Sequence, residues 1–357
     1  MNFFIHFLIF LVVLFIYMHI MEQYKTSDKM QLYEMDYIDN AGIQSACNVK
    51  QPFVFELRPV FSEFFYRQQP KLYLEQMGML DVHLKDTDDY WRVGGAGGGS
   101  VDSIVLSYRS FHSLISSDTR AHYISEGNTD FVGEADLGSL YQRLDGFLKP
   151  PIYTCQTEYD ILMGSQKAVF PLRYHTHDRI FLCILSGKLS VKMTPWKSRS
   201  GFAGGTAAIV RDYENYEFWV RENPWGGVGS VGGPGGGVGG GLQTAYLDFM
   251  VLAGQTLFVP AYWFYSIRFE DADTVVAQVK YNSPVNMLAN VRDIGRWYLQ
   301  QKNIVRVSDT PSSGGPTGIL EITAEESSGS ENDGISEPAS DSASSIQTSL
   351  EIITRKG

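Results

Sequence analysis

The stretch GQTLFVPAYWFY, Gly254 to Tyr265, decides how the fold is read. Five residues separate Gly254 from Pro260, and five positions beyond the proline stands Tyr265. On one side AYLDFMVL, and on the other TVVAQVKY from Thr274 to Tyr281, alternate in the manner of strands with two different faces. About eighty residues upstream, YHTHDRIFLCILSG runs from Tyr174 to Gly187. It leads into a further strand pattern, in which Leu189, Val191 and Met193 alternate with Lys188, Ser190 and Lys192.

His175 and His177 are two apart, so on a strand they would present both imidazoles to one centre. Imidazole suits iron, zinc or nickel, which makes the pair candidate metal ligands. Asp178 is a third candidate, but on a regular strand it points to the opposite face and needs a bulge to join them. His-x-His also arises by chance. The aromatic run Tyr262, Trp263, Phe264, Tyr265 reads either as core or as a platform on which a sugar or base could stack.

The segments FLKPPIYT (147–154), YDILMGS (159–165), FPLRYHTHDRIFLCILSGKLSVKMTPWK (170–197), RDYENYEFWVRENPW (211–225), GQTLFVPAYWFYSIRF (254–269) and VVAQVKYNSPVNMLAN (275–290) follow one another in a telling order. Over this span the chain resembles cupin-like, JmjC-like proteins, and among them membrane-associated cupin-like proteins of large DNA viruses of algae and protists. The resemblance implies a mainly β fold with flanking helices, a double-stranded β-helix (cupin or jelly-roll) barrel over 144–307. Residues 226–241 are then a Gly-rich insertion and 284–302 a C-terminal helix.

For a JmjC-like relative the resemblance also implies iron(II), 2-oxoglutarate and oxygen, bound by His-x-Asp/Glu and a distal histidine. This chain departs from that pattern. His177 stands where the acid is expected unless Asp178 shifts into the role, and Tyr265 occupies the distal ligand position. Lys188 and Lys192 are the candidate counterparts of the basic residue that holds 2-oxoglutarate or another anion. A neutral phenol with a pKa near 10 is a poor ligand for a divalent ion. Tyr265 is therefore expected to fill the space of the missing ligand, with its hydroxyl bonded to His175 or His177. The expectation is a binding or structural protein with no cofactor; the alternative is an iron(II)/2-oxoglutarate dioxygenase or protein hydroxylase. A sugar-binding cupin is a third reading.

Residues 3–20, FFIHFLIFLVVLFIYMHI, contain no acid or base and are long enough to cross a ~30 Å hydrocarbon core. Without a basic n-region or a small-x-small site near Met21, an uncleaved anchor over 1–21 is expected rather than a signal peptide. Lys25 and Lys29 follow it and lean the body toward the cytoplasm. The absence of an Asn-x-Ser/Thr acceptor agrees with that side. The resemblance places such a single-pass protein in a virion or host membrane, with a protein partner or a second copy as its company.

Between anchor and barrel, 22–143 reads as an N-terminal extension with a Gly-rich loop at 93–100. It holds a strand and short helix in FVFELRPVFSEFFYRQQP, a strand in SIVLSYRS (103–110), and a helix on Leu137, Leu140, Tyr141, Leu144 and Phe147 that Pro150 ends. Ser283 and Pro284 start the C-terminal helix, whose stripe of Leu288, Val291, Ile294 and Tyr298 is expected to cover one end of the barrel. The net charge is −11, of which the acidic tail from Ser308 to Gly357 carries −7 and the body about −4. That tail is expected to be disordered. No basic surface points to nucleic acid. Cys47, Cys155 and Cys183 are too few and too scattered for a disulfide framework.

Overall fold

A computed structural model describes residues 2–92, 100–151, 154–202, 204–226 and 244–301. The Gly-rich runs (in part) and the acidic tail lie outside those residues. Two sheets carry the fold. The larger has nine strands in the order β1 (Tyr33–Asp36), β2 (Phe53–Glu56), β13 (Gln255–Pro260), β8 (Arg179–Ser186), β15 (Val275–Asn282), β6 (Gln156–Gly164), β5 (Tyr123–Ser125), β3 (Asp81–Asp86) and β4 (Ile104–Ser107). The smaller has six, in the order β10 (Ile209–Asp212), β11 (Glu217–Val220), β7 (Leu172–Tyr174), β14 (Phe264–Phe269), β9 (Lys188–Thr194) and β12 (Leu247–Leu252). Pairing is antiparallel except between β1 and β2. The structure is thus a mixed α/β arrangement of two largely antiparallel sheets. Five of the nine strands in the larger sheet come from residues 33–125, the region the sequence reading set aside as an extension.

Strand alternation sorts the side chains into three cores. On β8, Ile180, Leu182 and Ile184 join Leu189, Val191, Ile267 and Phe269 of the smaller sheet in one buried cluster, so the two sheets pack face to face there. The opposite side chains, Phe181, Cys183 and Leu185, sit under a helical layer. That layer is α2 (Asn40–Asn48), α3 (Ser62–Tyr66), α4 (Pro70–Gln76), α6 (Tyr108–Ser117), α7 (Thr129–Glu134) and α8 (Gly138–Leu148). Burial on both faces is why β8 reads as an unbroken apolar run whereas β9 alternates. The third core lies on the outer face of the smaller sheet, with Leu172, Phe218, Val220 and Phe264 at its centre.

Two tight turns need glycine. Gly187, between β8 and β9, has φ +73°, and a Cβ there would meet Thr274 Oγ1 at 2.2 Å. Gly254, between β12 and β13, has φ +100° and packs on the Arg58 side chain.

Several local expectations shift. The strand in SIVLSYRS stops at Ser107, whose side chain caps α6, so Tyr108 onward is helix. The helix expected over 284–302 is two, α9 (Pro284–Ala289) and α10 (Val291–Gln301), broken at Asn290. Ser283 does cap α9, accepting from the Asn286 amide. Of the expected stripe only Ile294 faces the body, in the wall of a cavity; Leu288, Val291 and Tyr298 are exposed. Finally, α1 (Asn2–Tyr24) is an apolar helix long enough to cross a bilayer and is not buried against the body. A membrane anchor and a signal sequence both fit its length and composition.

Candidate functional site

Two crossovers between the sheets build the site. The chain leaves β7 at Tyr174, passes through His175, Thr176, His177 and Asp178, and enters β8 in the other sheet. It likewise leaves β13 at Pro260, turns through Ala261, Tyr262 and Trp263, and enters β14. The Tyr262 amide donates to the His175 carbonyl at 3.0 Å, tying the crossovers together. His175 and His177 therefore lie on a connecting loop, not on a strand as the spacing suggested. Asn286 of α9 fixes that loop by donating to the Thr176 carbonyl at 2.8 Å.

Where the crossovers meet, the space between the sheets turns from apolar to polar. Two adjoining cavities of about 280 and 300 Å³ open there, sharing His177, Asn215, Tyr216 and Lys280 in their walls. His175, Arg173, Tyr265 and Gln278 line the inner one. Trp297, Met287 and Asn290 line the outer one.

The floor of the inner cavity is a buried ion network. Arg173 Nη1 stands 2.6 Å from Glu126 Oε2, and Lys85 Nζ lies 3.2 Å from Glu126 and 2.6 Å from Glu217. The Tyr90 hydroxyl stands 2.9 Å from Glu126 and 3.0 Å from Glu217. Burial works against the Lys85 ammonium, but the two glutamates outweigh it and raise its pKa. Burial likewise disfavours the Glu126 carboxylate, and Arg173 and Lys85 reverse this and hold it low. Glu217 is pushed up, by burial first and then by Glu126. With both acids ionised the four groups are neutral together.

The histidines differ from that floor. Neither ring nitrogen of His175 makes a well-aligned hydrogen bond, although the Val259 and His177 backbone lie close enough to offset part of its burial, and Nδ1 of His177 is buried and unbonded. Burial lowers the pKa of each ring below the usual histidine value, so both are neutral near pH 7. His177 Nε2 faces Glu158 Oε2 at 3.8 Å, beyond hydrogen-bond range, and Lys280 Nζ approaches the same oxygen at 3.4 Å. In its protonated form the His177 ring, with Lys280 and against the opposing effect of burial, holds the Glu158 carboxyl down to about 2.

The other candidates are not brought together. Tyr265 stands edge-on to His175, ring centroids 6.0 Å apart, so it does occupy the facing position. The expected bond from its hydroxyl to His175 is not made, since neither His175 nitrogen has a partner. Arg173 lies over the Tyr265 ring instead, 5.7 Å from its centroid. Asp178 is turned away: its amide donates to Asn282 and its carboxylate faces Arg179 at 3.8 Å. Lys188 is exposed at the turn after β8, and Lys192 pairs with Asp248 at 2.9 Å across the outer face; neither lines the cavities. The basic groups that do are Arg173 and Lys85 of the floor network and Lys280, which shares the inward face of β15 with Gln278 and Val276. Alternation in TVVAQVKY carries that signal.

The donor set does not fit an octahedral or tetrahedral metal centre of the kind the resemblance implies. Among the described residues, the one group of three His, Cys, Asp or Glu side chains within 4.8 Å of one another is Asp86, Asp88 and His122, which excludes the His175 loop. What the arrangement offers is neutral hydrogen-bonding capacity, set against walls whose charged groups are paired with one another or, for Asp160, bonded to the Gly127 and Asn128 amides. No protein-family model matches the chain, and no curated protein matches it.

Proposed function

We propose that this is a membrane-anchored protein whose cupin-like, JmjC-like two-sheet domain binds a small, polar, uncharged ligand between its sheets and does not carry out metal-dependent oxidation. The observation that carries this reading is His175: a buried, neutral ring at the wall of a cavity, with neither nitrogen in a well-aligned hydrogen bond. An unmet buried polar group costs about 1–3 kcal/mol, so a fold that keeps one beside an open space is arranged for something to meet it. Tyr265 supports the same reading, because it closes the position from which a third metal ligand would come. The cupin-like fold rests on the two sheets and on the paired crossovers at one end. A virion or host membrane is the proposed location, with the body on the cytoplasmic side.

The test uses the full chain in detergent. It is loaded with iron(II) and 2-oxoglutarate under anaerobic conditions, desalted, and assayed for bound metal and for turnover. In parallel, thermal unfolding is followed with a panel of polyols and monosaccharides. The expected result is no stoichiometric iron, no turnover, and a stabilising polyol or sugar whose effect His175→Phe abolishes. Stoichiometric iron with turnover would replace this reading by the dioxygenase one. That second reading has one observation in its favour, the two neutral imidazoles with lone pairs to give.

A further inference from the structure

Helix α10 leaves a row of apolar side chains pointing away from the body. An amphipathic helix ordinarily turns its apolar face to the core. Here Asp293 accepts from the Tyr213 hydroxyl at 3.0 Å, Arg296 donates to the same oxygen at 2.9 Å, and Gln301 donates to the Glu214 carbonyl at 2.6 Å. These polar contacts, together with Ile294 and Trp297 facing the outer cavity, hold the helix to the body. Outward, Val291 and Leu299 are 57% and 52% exposed, and Leu288 of α9 is 47% exposed.

A second observation says what this face meets. Tyr24, the last residue of α1, donates its hydroxyl to the Ala289 carbonyl, and its ring packs on Tyr262. Lys50 holds the same helix end through the Glu22 carbonyl at 2.5 Å. The 22-residue span Phe3–Tyr24 is about 33 Å long, so its end lies at the level where hydrocarbon meets headgroups. Leu288 and Val291 flank Ala289, the residue that Tyr24 touches. Lys25, paired with Glu22, and Lys50, on the Glu22 and Gln23 carbonyls, place positive charge at the same helix end.

We infer that the outward face of α9 and α10 lies on the surface of the bilayer that α1 enters, with Leu288, Val291 and Leu299 in the interfacial layer and the cavity mouth held beside the membrane. The inference rests on α1 being a retained anchor.

The experiment keeps the two separate. The full chain carrying Cys155→Ser receives a spin label through Leu288→Cys, Val291→Cys or, as a control, Met79→Cys, which is 77% exposed between α4 and β3 at the far side of the larger sheet. Cys47 and Cys183 are buried, with their thiols pushed up to about 12 by that burial, and stay unlabelled. Each protein is reconstituted into vesicles of phosphatidylcholine with one third phosphatidylserine and washed with alkaline carbonate. Collision rates with oxygen and with a water-soluble nickel complex are then measured. The expected result is a carbonate-resistant chain whose oxygen-to-nickel ratio is several-fold higher at Leu288 and Val291 than at Met79. Equal ratios on a carbonate-resistant chain would overturn the docking while leaving the anchor; a chain that washes off would overturn both.

Discussion

The two halves of the space between the sheets are built from the same alternation and do opposite things. At one end Leu182, Ile184, Val191, Ile267 and Phe269 fill it completely. At the other, Arg173 of β7, Glu217 of β11, Tyr265 of β14 and Lys280 of β15 take the inward positions, and cavities open. The apolar half needs nothing beyond shape. In the polar half every charge must find an opposite charge before the neutral groups can be left open.

That difference is broken most strongly by removing one member of each half. Leu182→Ala should cost about 2–5 kcal/mol in chemical denaturation, from lost burial and the void left behind. Arg173→Met should cost a similar amount, about 3–5 kcal/mol, for another reason: it leaves two buried carboxylates, Glu126 and Glu217, to the single ammonium of Lys85. The two losses separate on repair. Adding Glu126→Gln to Arg173→Met should recover most of the stability, because Lys85 then remains matched to Glu217. No polar partner change should rescue Leu182→Ala. Failure of the charge-neutral pair to recover would show that shape, not charge, governs the polar half as well.

Acid sharpens the same contrast. Burial lowers the pKa values of His175 and His177 in the folded chain, so below about 6.5 the unfolded chain binds protons that the folded chain does not. Stability is therefore full above that pH and falls as pH drops toward the folded values, by up to about 1.4 kcal/mol per pH unit for each ring. Denaturation at pH 7.5, 6.5 and 5.5 checks this, and His175→Phe should reduce the slope by one proton. Glu158 adds a loss only lower down, between the ordinary carboxylate range and about 2.

At neutral pH His175→Phe should be nearly neutral or stabilising by about 1 kcal/mol, since it removes two unmet nitrogens from a buried place. A residue that is indifferent to stability yet essential to ligand binding is what the proposed function requires. A loss of more than about 2 kcal/mol would mean that His175 holds the crossovers together and has no ligand role.

Much of this was legible in the sequence. Alternation in TVVAQVKY and LSVKM located strands and faces, Ser283-Pro284 marked a helix start, and Gly254, Pro260 and Tyr265 marked a strand, a turn and the next strand. The strand assumption for His175 and His177 misled because a two-residue spacing means a common face only within a strand, and this segment crosses between sheets. Lys85 and Glu126 were invisible for a different reason. Nothing local distinguishes a lysine that will be buried, and only the long-range pairing of β3 and β5 with the rest of the larger sheet brings them to Arg173. The outward apolar face of α10 was misassigned because periodicity fixes which residues share a face and not which way that face turns.

The smallest effect tests the residue that motif alignment pointed to. Lys192 lies on the outer side of β9, paired with Asp248 at 2.9 Å and 5.1 Å from the Trp225 ring centroid. An ion pair of this kind, with its acid more than half exposed, is worth about 0–1 kcal/mol, and the ring contact adds about 0.5–1. Lys192→Ala should therefore cost no more than about 1–2 kcal/mol, decline further in high salt, and leave ligand binding unchanged. Lys280→Met, on the inward face of the larger sheet, should instead weaken binding while barely responding to salt, because its Glu158 partner is in the cavity wall. If Lys192→Ala proved the more damaging to binding, the ligand would sit on the outer face of the smaller sheet, and the polar half of the interior would be a structural network with no ligand of its own.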